Sequence, residues 1–84
     1  MTPVHHEKAR RFMLTFAEGD AVLDYERSGH TVNFTHTFVP PELRGRGAAE
    51  SLVKAGLAWA GEHKLHVEAS CSYVARYLER FPRR

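Results

Sequence analysis

A single cysteine, Cys71, occurs among the 84 residues, so no internal disulfide can form and the composition fits a reducing compartment. Long hydrophobic runs are missing as well. The longest mildly apolar stretch, Ala55 to Ala60, falls far short of the roughly 20 residues that a membrane helix needs. Met1 to Arg11 carry charges and histidines where a secretory leader needs an apolar centre. The expectation is a cytoplasmic protein with no membrane partner. Charge of one sign is also scarce: 12 Lys and Arg stand against 10 Asp and Glu, a formal net charge of +2. That balance is too mild to define a nucleic-acid binder. Arginines do gather at Arg10 and Arg11, at Arg44 and Arg46, and at Arg80, Arg83 and Arg84, but the strands lack the aromatic platform of an RNA-binding sheet. The only close histidine pairs are His5 with His6 and His63 with His66. Neither has a second cysteine or a carboxylate at ligand spacing, so no metal site is expected.

What is present suits one small folded domain spanning residues 1–84, with residues 1–9 as a mobile terminus. The chain is 43% apolar and 11% aromatic. A chain of this size buries roughly 60 to 70% of its unfolded surface, enough for one core. Phe12, Leu14 and Phe16 alternate with Arg11, Met13 and Thr15, the pattern of a half-buried strand. After the turn signal Glu18-Gly19-Asp20, a second strand alternates through Ala21, Leu23 and Tyr25. Ser28-Gly29-His30 then leads to a third, with Val32, Phe34, His36 and Phe38 on one face. Short turns make these an antiparallel meander. Pro40 and Pro41 stop the third strand, since neither donates a ladder hydrogen bond.

A helix is predicted from near Gly47 to about His63, with Ala49, Leu52, Val53, Gly56, Trp59 and Ala60 forming its apolar stripe. Gly56 inside that stripe implies a close approach to another backbone. Leu65 to Ser70 alternates as a fourth strand, reached by a parallel, right-handed crossover. Cys71 to Phe81 reads as a second helix, ended by Pro82. The order β-β-β-α-β-α is an α+β fold, a mixed α/β layer: an antiparallel meander plus a parallel crossover strand.

The join between third strand and first helix is chemically the most informative stretch. Val39-Pro-Pro-Glu-Leu-Arg-Gly-Arg-Gly-Ala-Ala49 sets two glycines among two arginines at a helix start. A helix N-terminus carries unsatisfied N–H groups and partial positive charge, and glycine lets an anion approach them. Arg44 and Arg46 add full charges and donors. The loop is a candidate phosphate cradle. It is neither a Walker loop nor a G-x-G-x-x-G turn, and a sharp turn with solvated arginines is the plain alternative.

Arg44-Gly45-Arg46-Gly47-Ala48-Ala49 resembles the R/Q-x-x-G-x-G/A signature of the GNAT acetyltransferase superfamily, with Arg44, Gly47 and Ala49 on the defined positions. The longer string His36 to Gly47, followed by Cys71-Ser72-Tyr73-Val74, is similar to its small single-domain branch, the YjdJ type. The resemblance spans roughly Arg10 to Pro82. It implies a minimal GNAT-like fold that binds acetyl-coenzyme A, with Arg44, Gly45, Arg46, Gly47, Ala48 and Ala49 holding the pyrophosphate. Phe38 and Val39 would bind the pantetheine arm through their backbone, between third and fourth strands that splay apart. The implied activity is acetyl transfer to an amine, on a protein tail or a small molecule.

Cys71 falls at the start of the last helix, where a helix N-terminus favours thiolate, and the resemblance marks it as a candidate catalytic residue. A buried cysteine acting as a small hydrophobe is the other reading. Transfer can run directly from thioester to amine or through Cys71. His36 is a candidate base, although its parity with Val32 and Phe34 points to a core histidine. Tyr73 and Tyr77 are candidate acids that do not align cleanly with the tyrosine of larger relatives. Those relatives also carry a pair of early helices on the acceptor side, missing here. An open site for a large amine, or one completed by a partner or a homodimer, follows. A non-catalytic module that binds acetyl-coenzyme A or a partner protein is the rival function.

Overall fold

The computed structural model describes residues 1–82; Arg83 and Arg84, counted above in a basic cluster, lie outside the described residues. The meander and crossover read from the sequence are present. Strands β1 (Val4–His6), β2 (Arg11–Phe16), β3 (Gly19–Ser28), β4 (Thr31–Phe38) and β5 (His66–Ala69) form one sheet in sequential order, with helices α1 (Ala48–Glu62) and α2 (Ser72–Arg80). β1 to β4 pair antiparallel, and β5 joins β4 in parallel after the crossover through α1. The result is the expected α+β layer.

The alternating residues of β2, β3 and β4 explain the core. Phe12, Leu14, Leu23, Tyr25, Val32 and Phe34 are buried under the helices with Leu52, Val53, Trp59 and Val74. Burying such side chains contributes about 1.5 to 3 kcal/mol each. Gly56 is what lets α1 settle on this face, though the close approach is to side chains and not to a backbone. A Cβ there would stand 2.9 Å from Phe34 Cε1 and 3.1 Å from Leu23 Cδ2.

Residues 4–9, taken from the sequence as part of a mobile terminus, are structured instead. Val4, His5 and His6 pair with Met13, Phe12 and Arg11, and a 3-10 turn, Glu7–Ala9, follows. The reason is His5. Its ring stacks on Phe12 with centroids 4.0 Å apart, meets Trp59 edge-on at 4.9 Å, and its Nε2 shares a 2.6 Å hydrogen bond with the Tyr25 hydroxyl. One half-buried imidazole thus pins a three-residue edge strand whose backbone pairing alone is marginal.

A β-bulge at Thr35 controls the site. Tyr25 faces Phe34 and Asp24 faces His36, so Thr35 is the extra residue on β4. Inserting one residue reverses the alternation beyond it. His36 and Phe38, read as continuing the Val32–Phe34 face, are turned to the other face and exposed, while Thr37 points to the helices. His36 is therefore not a core histidine.

Candidate functional site

The bulge, the proline stop and the glycine loop meet at the C-terminal end of β4. β5 pairs with β4 only from Thr31–His66 to Phe34–Ala69. The last strand-like contact is the Cys71 N–H, which donates to the Phe34 carbonyl at 3.0 Å. Asn33 locks the end of β5, its side chain accepting from the Ser70 N–H at 2.9 Å and donating to the Ser70 hydroxyl at 2.9 Å. Beyond this point β4 runs on from Thr35 to Phe38 with no strand paired to that edge among the described residues. The gap opens into a cavity of about 580 Å3.

Two very different walls line it. One is the end of β4, with Thr37, Phe38 and Val39; the other is the loop and first turn of α1, from Leu43, Arg44 and Gly45 to Gly47, Ala48, Ala49 and Glu50. Tyr73, from the first turn of α2, closes the third side. The glycines are needed for backbone conformation: Gly45 has φ 83° and Gly47 φ 82°, in the left-handed region. A Cβ on either would meet no atom within 4 Å, so both face open space.

Gly47 caps α1 without any side chain, and the first bond within the helix is from the Ser51 N–H to the Gly47 carbonyl, 3.0 Å. The N–H groups of Ala48, Ala49 and Glu50 precede it and have no acceptor inside the helix. Partial positive charge therefore concentrates at the first turn of α1, whose Ala48, Ala49 and Glu50 line the cavity. Arg44 stays at this rim because its Nε donates to the Val39 carbonyl at 3.2 Å, bracing the loop against the strand end. The one acidic group on the wall, Glu50, is drawn back along α1 by Lys54 at 3.0 Å. Burial raises the pKa of Tyr73, and the Glu50 and Tyr77 charges act in the same direction, so its hydroxyl holds its proton well above neutrality.

Most residues singled out in the sequence converge here: Phe38, Val39, Arg44, Gly45, Gly47, Ala48 and Ala49 all line the cavity. Arg46 does not; it is exposed outside the lining. Cys71 is not part of the lining; it is half-buried, with its Sγ 3.2 Å from the Oγ1 of the lining residue Thr37. Tyr77 is not part of the lining; its ring lies 4.9 Å from that of Phe81. Thr37, Leu43 and Glu50 were not anticipated. For Glu50 a signal existed, since it falls in the first turn of α1; Thr37 was hidden by the bulge.

An open parallel strand pair thus lies beside a glycine-capped helix N-terminus, whose N–H groups can receive an anion. The chain belongs to the GCN5-related N-acetyltransferase family, whose model matches residues 11–84. Among its relatives is the protein NATD1 of Xenopus tropicalis, 38% identical over 81 residues, which cover 93% of this chain and 74% of that protein. The NATD1 proteins of Gallus gallus and Homo sapiens are each 37% identical over 83 residues, covering 94% of this chain and 76% and 74% of theirs.

Proposed function

We propose that this protein binds acetyl-coenzyme A in the β4–α1–α2 cavity and transfers the acetyl group to an amine. The observation that carries the reading is the bare N-terminus of α1, with Gly45 and Gly47 in the left-handed region, opening on the unpaired end of β4. The residues fit the ligand. The N–H groups of Gly47, Ala48 and Ala49 with the Arg44 guanidinium would hold a pyrophosphate, and the Phe38 and Val39 backbone would bind the amide-bearing arm. When bound, the ligand supplies an activated acetyl thioester.

The chain's own groups then divide the work. Free backbone donors at the end of β4 polarise a carbonyl placed beside them. The hydroxyl of Tyr73, a residue of the cavity wall that is protonated at neutral pH, supplies a proton to the departing thiolate, and the proton lost by the acylated amine passes through solvent back to the phenolate. Transfer is direct in this reading, which the absence of Cys71 from the cavity lining supports. In the other route the Cys71 sulfur would take the acetyl carbon, and its proton would end on the released coenzyme A thiol.

Calorimetric titration with acetyl-coenzyme A, beside dephospho-coenzyme A and ATP, tests the reading. Saturable one-site binding of the thioester is expected. No binding up to millimolar concentration sinks it.

A further inference from the structure

β4 and β5 part through a slip in their hydrogen bonding, and the slip traces to one side chain. The pairing starts in regular parallel form: Thr31 faces His66, and the His66 N–H donates to the His30 carbonyl at 2.7 Å. In a regular parallel pair the N–H groups that face the neighbouring strand recur at every second residue. After His66 the donors due are Glu68 and Ser70, onto the carbonyls of Val32 and Phe34. The Phe34 carbonyl is instead taken by the Cys71 N–H at 3.0 Å, one residue late. β5 thus carries an extra residue at its end, and an extra residue bends the strand that holds it.

Ser70 is that residue, because its N–H is captured by a side chain. The Asn33 side-chain carbonyl accepts it at 2.9 Å, and the Asn33 amide donates back to the Ser70 hydroxyl at 2.9 Å. Asn33 reaches Ser70 from the face of the sheet away from the core, which its buried neighbours Val32 and Phe34 do not share. On β4 the extra residue Thr35 follows two positions after Asn33. Each strand therefore leaves the pairing by its own device, and the cavity begins just beyond, at Thr37.

We propose that Asn33 is a positioning residue for this cavity: by holding the Ser70 N–H it stops β5 from pairing one step further along β4, and so keeps the fork open for an elongated ligand arm. The inference rests on the acetyl-transfer reading for the ligand and adds the side chain that makes room for it. Asn33 is itself absent from the cavity lining, so it acts through Ser70 and Cys71. Without its amide, the Ser70 N–H takes the Phe34 carbonyl, Cys71 loses it, and the fork closes by one step.

The test compares the full chain with three variants. Asn33→Val keeps a strand former and removes the amide, Asn33→Asp keeps an oxygen acceptor for the Ser70 N–H, and Ser70→Ala removes only the hydroxyl. Scalar couplings across hydrogen bonds, measured by NMR without ligand, read the pairing directly. The Ser70 nitrogen should couple to the Asn33 side-chain carbonyl carbon in the wild type and to the Phe34 carbonyl carbon in Asn33→Val. Calorimetry should find acetyl-coenzyme A bound at least tenfold more weakly by Asn33→Val, and within about threefold of wild type by Asn33→Asp and Ser70→Ala. All are compared in about 0.3 M salt, which screens the new carboxylate from Glu26 and Glu68, its neighbours across the two adjacent strands.

Rescue by aspartate separates capture of the N–H from a general loss of stability, which urea unfolding measures alongside. If Asn33→Val fails to fold, Asn33→Ala takes its place. A valine variant in which Cys71 still holds the Phe34 carbonyl, or one whose affinity is unchanged, overturns the proposal and leaves the packing of buried Val74 to set the fork. Failure of the wild type to bind acetyl-coenzyme A falls instead on the acetyl-transfer reading, and the couplings still decide whether Asn33 opens the fork.

Discussion

Thr37 Oγ1 and Cys71 Sγ stand 3.2 Å apart, joining the bulged end of β4 to the N-terminus of α2 just past the point where β4 and β5 stop pairing. The contact ties the thiol to a residue of the cavity wall, while Cys71 itself is not part of the lining. Direct transfer therefore predicts that Cys71→Ala keeps acetyl transfer within about threefold, and that intact-mass analysis after incubation with acetyl-coenzyme A finds no acetylated protein. An acetyl group on Cys71, chased off by an added amine, would establish the two-step route instead.

Gly47 meets two demands at once. Its φ of 82° costs an ordinary L residue about 1 to 2 kcal/mol, and its missing Cβ leaves open the approach to the helix N–H groups. Gly47→Val should weaken acetyl-coenzyme A binding at least tenfold by calorimetry, with the fold retained by circular dichroism. An unchanged affinity would remove the loop from the binding site.

How much of this was legible in the sequence depends on the scale of the interaction. β2, β3 and α1 announce themselves through local periodicity, and Gly45 and Gly47 through composition. The parity of Thr37 did not, because a bulge is a relation between two strands and leaves no mark in the alternation of either. β1 escaped for a similar reason. His5 orders it through Phe12, Tyr25 and Trp59, partners 7, 20 and 54 positions away along the chain. Tyr73 was visible as a residue, but its place on the cavity wall depends on how α2 packs beside α1.

Gly56 gives a stability test separate from binding. A Cβ would fall 2.9 Å from Phe34 Cε1, and overpacking of this kind costs typically about 1 to 3 kcal/mol. The gain in helix propensity from Gly to Ala offsets about 1 kcal/mol. Gly56→Ala should thus be destabilising by up to about 2 kcal/mol in urea unfolding, and Gly56→Val by more. A stabilised alanine variant would show that α1 sits further from the sheet.

His5 makes the fold sensitive to pH. Burial lowers its pKa from 6.5; Glu7 opposes this, and His63 and His6 reinforce it. The unfolded chain therefore binds the His5 proton more readily than the folded one. Stability is complete above 6.5 and falls as pH drops from there to the lower folded value, below which the loss is constant. The pH profile of wild type minus His5→Phe should show this slope, and NMR titration of the ring should give a midpoint below 6.5. A midpoint above 6.5 would mean that Glu7 outweighs burial.

Tyr73 offers the sharpest separation of binding from chemistry. The residue is 40% exposed and lines the cavity, and Tyr73→Phe keeps the ring and removes only the hydroxyl. A positioned general acid contributes about 100-fold or more to a rate. The variant should bind acetyl-coenzyme A with unchanged affinity and lose about 100-fold in kcat. Because the Tyr73 pKa is raised, the wild type should also hold its kcat through the weakly alkaline range and lose it only above the ordinary phenol value of 10.0. A phenylalanine variant with full kcat would leave solvent as the proton source. Tyr77→Phe is the control: that ring packs on Phe81 and is not part of the cavity lining, and its loss of a hydroxyl should leave kcat unchanged.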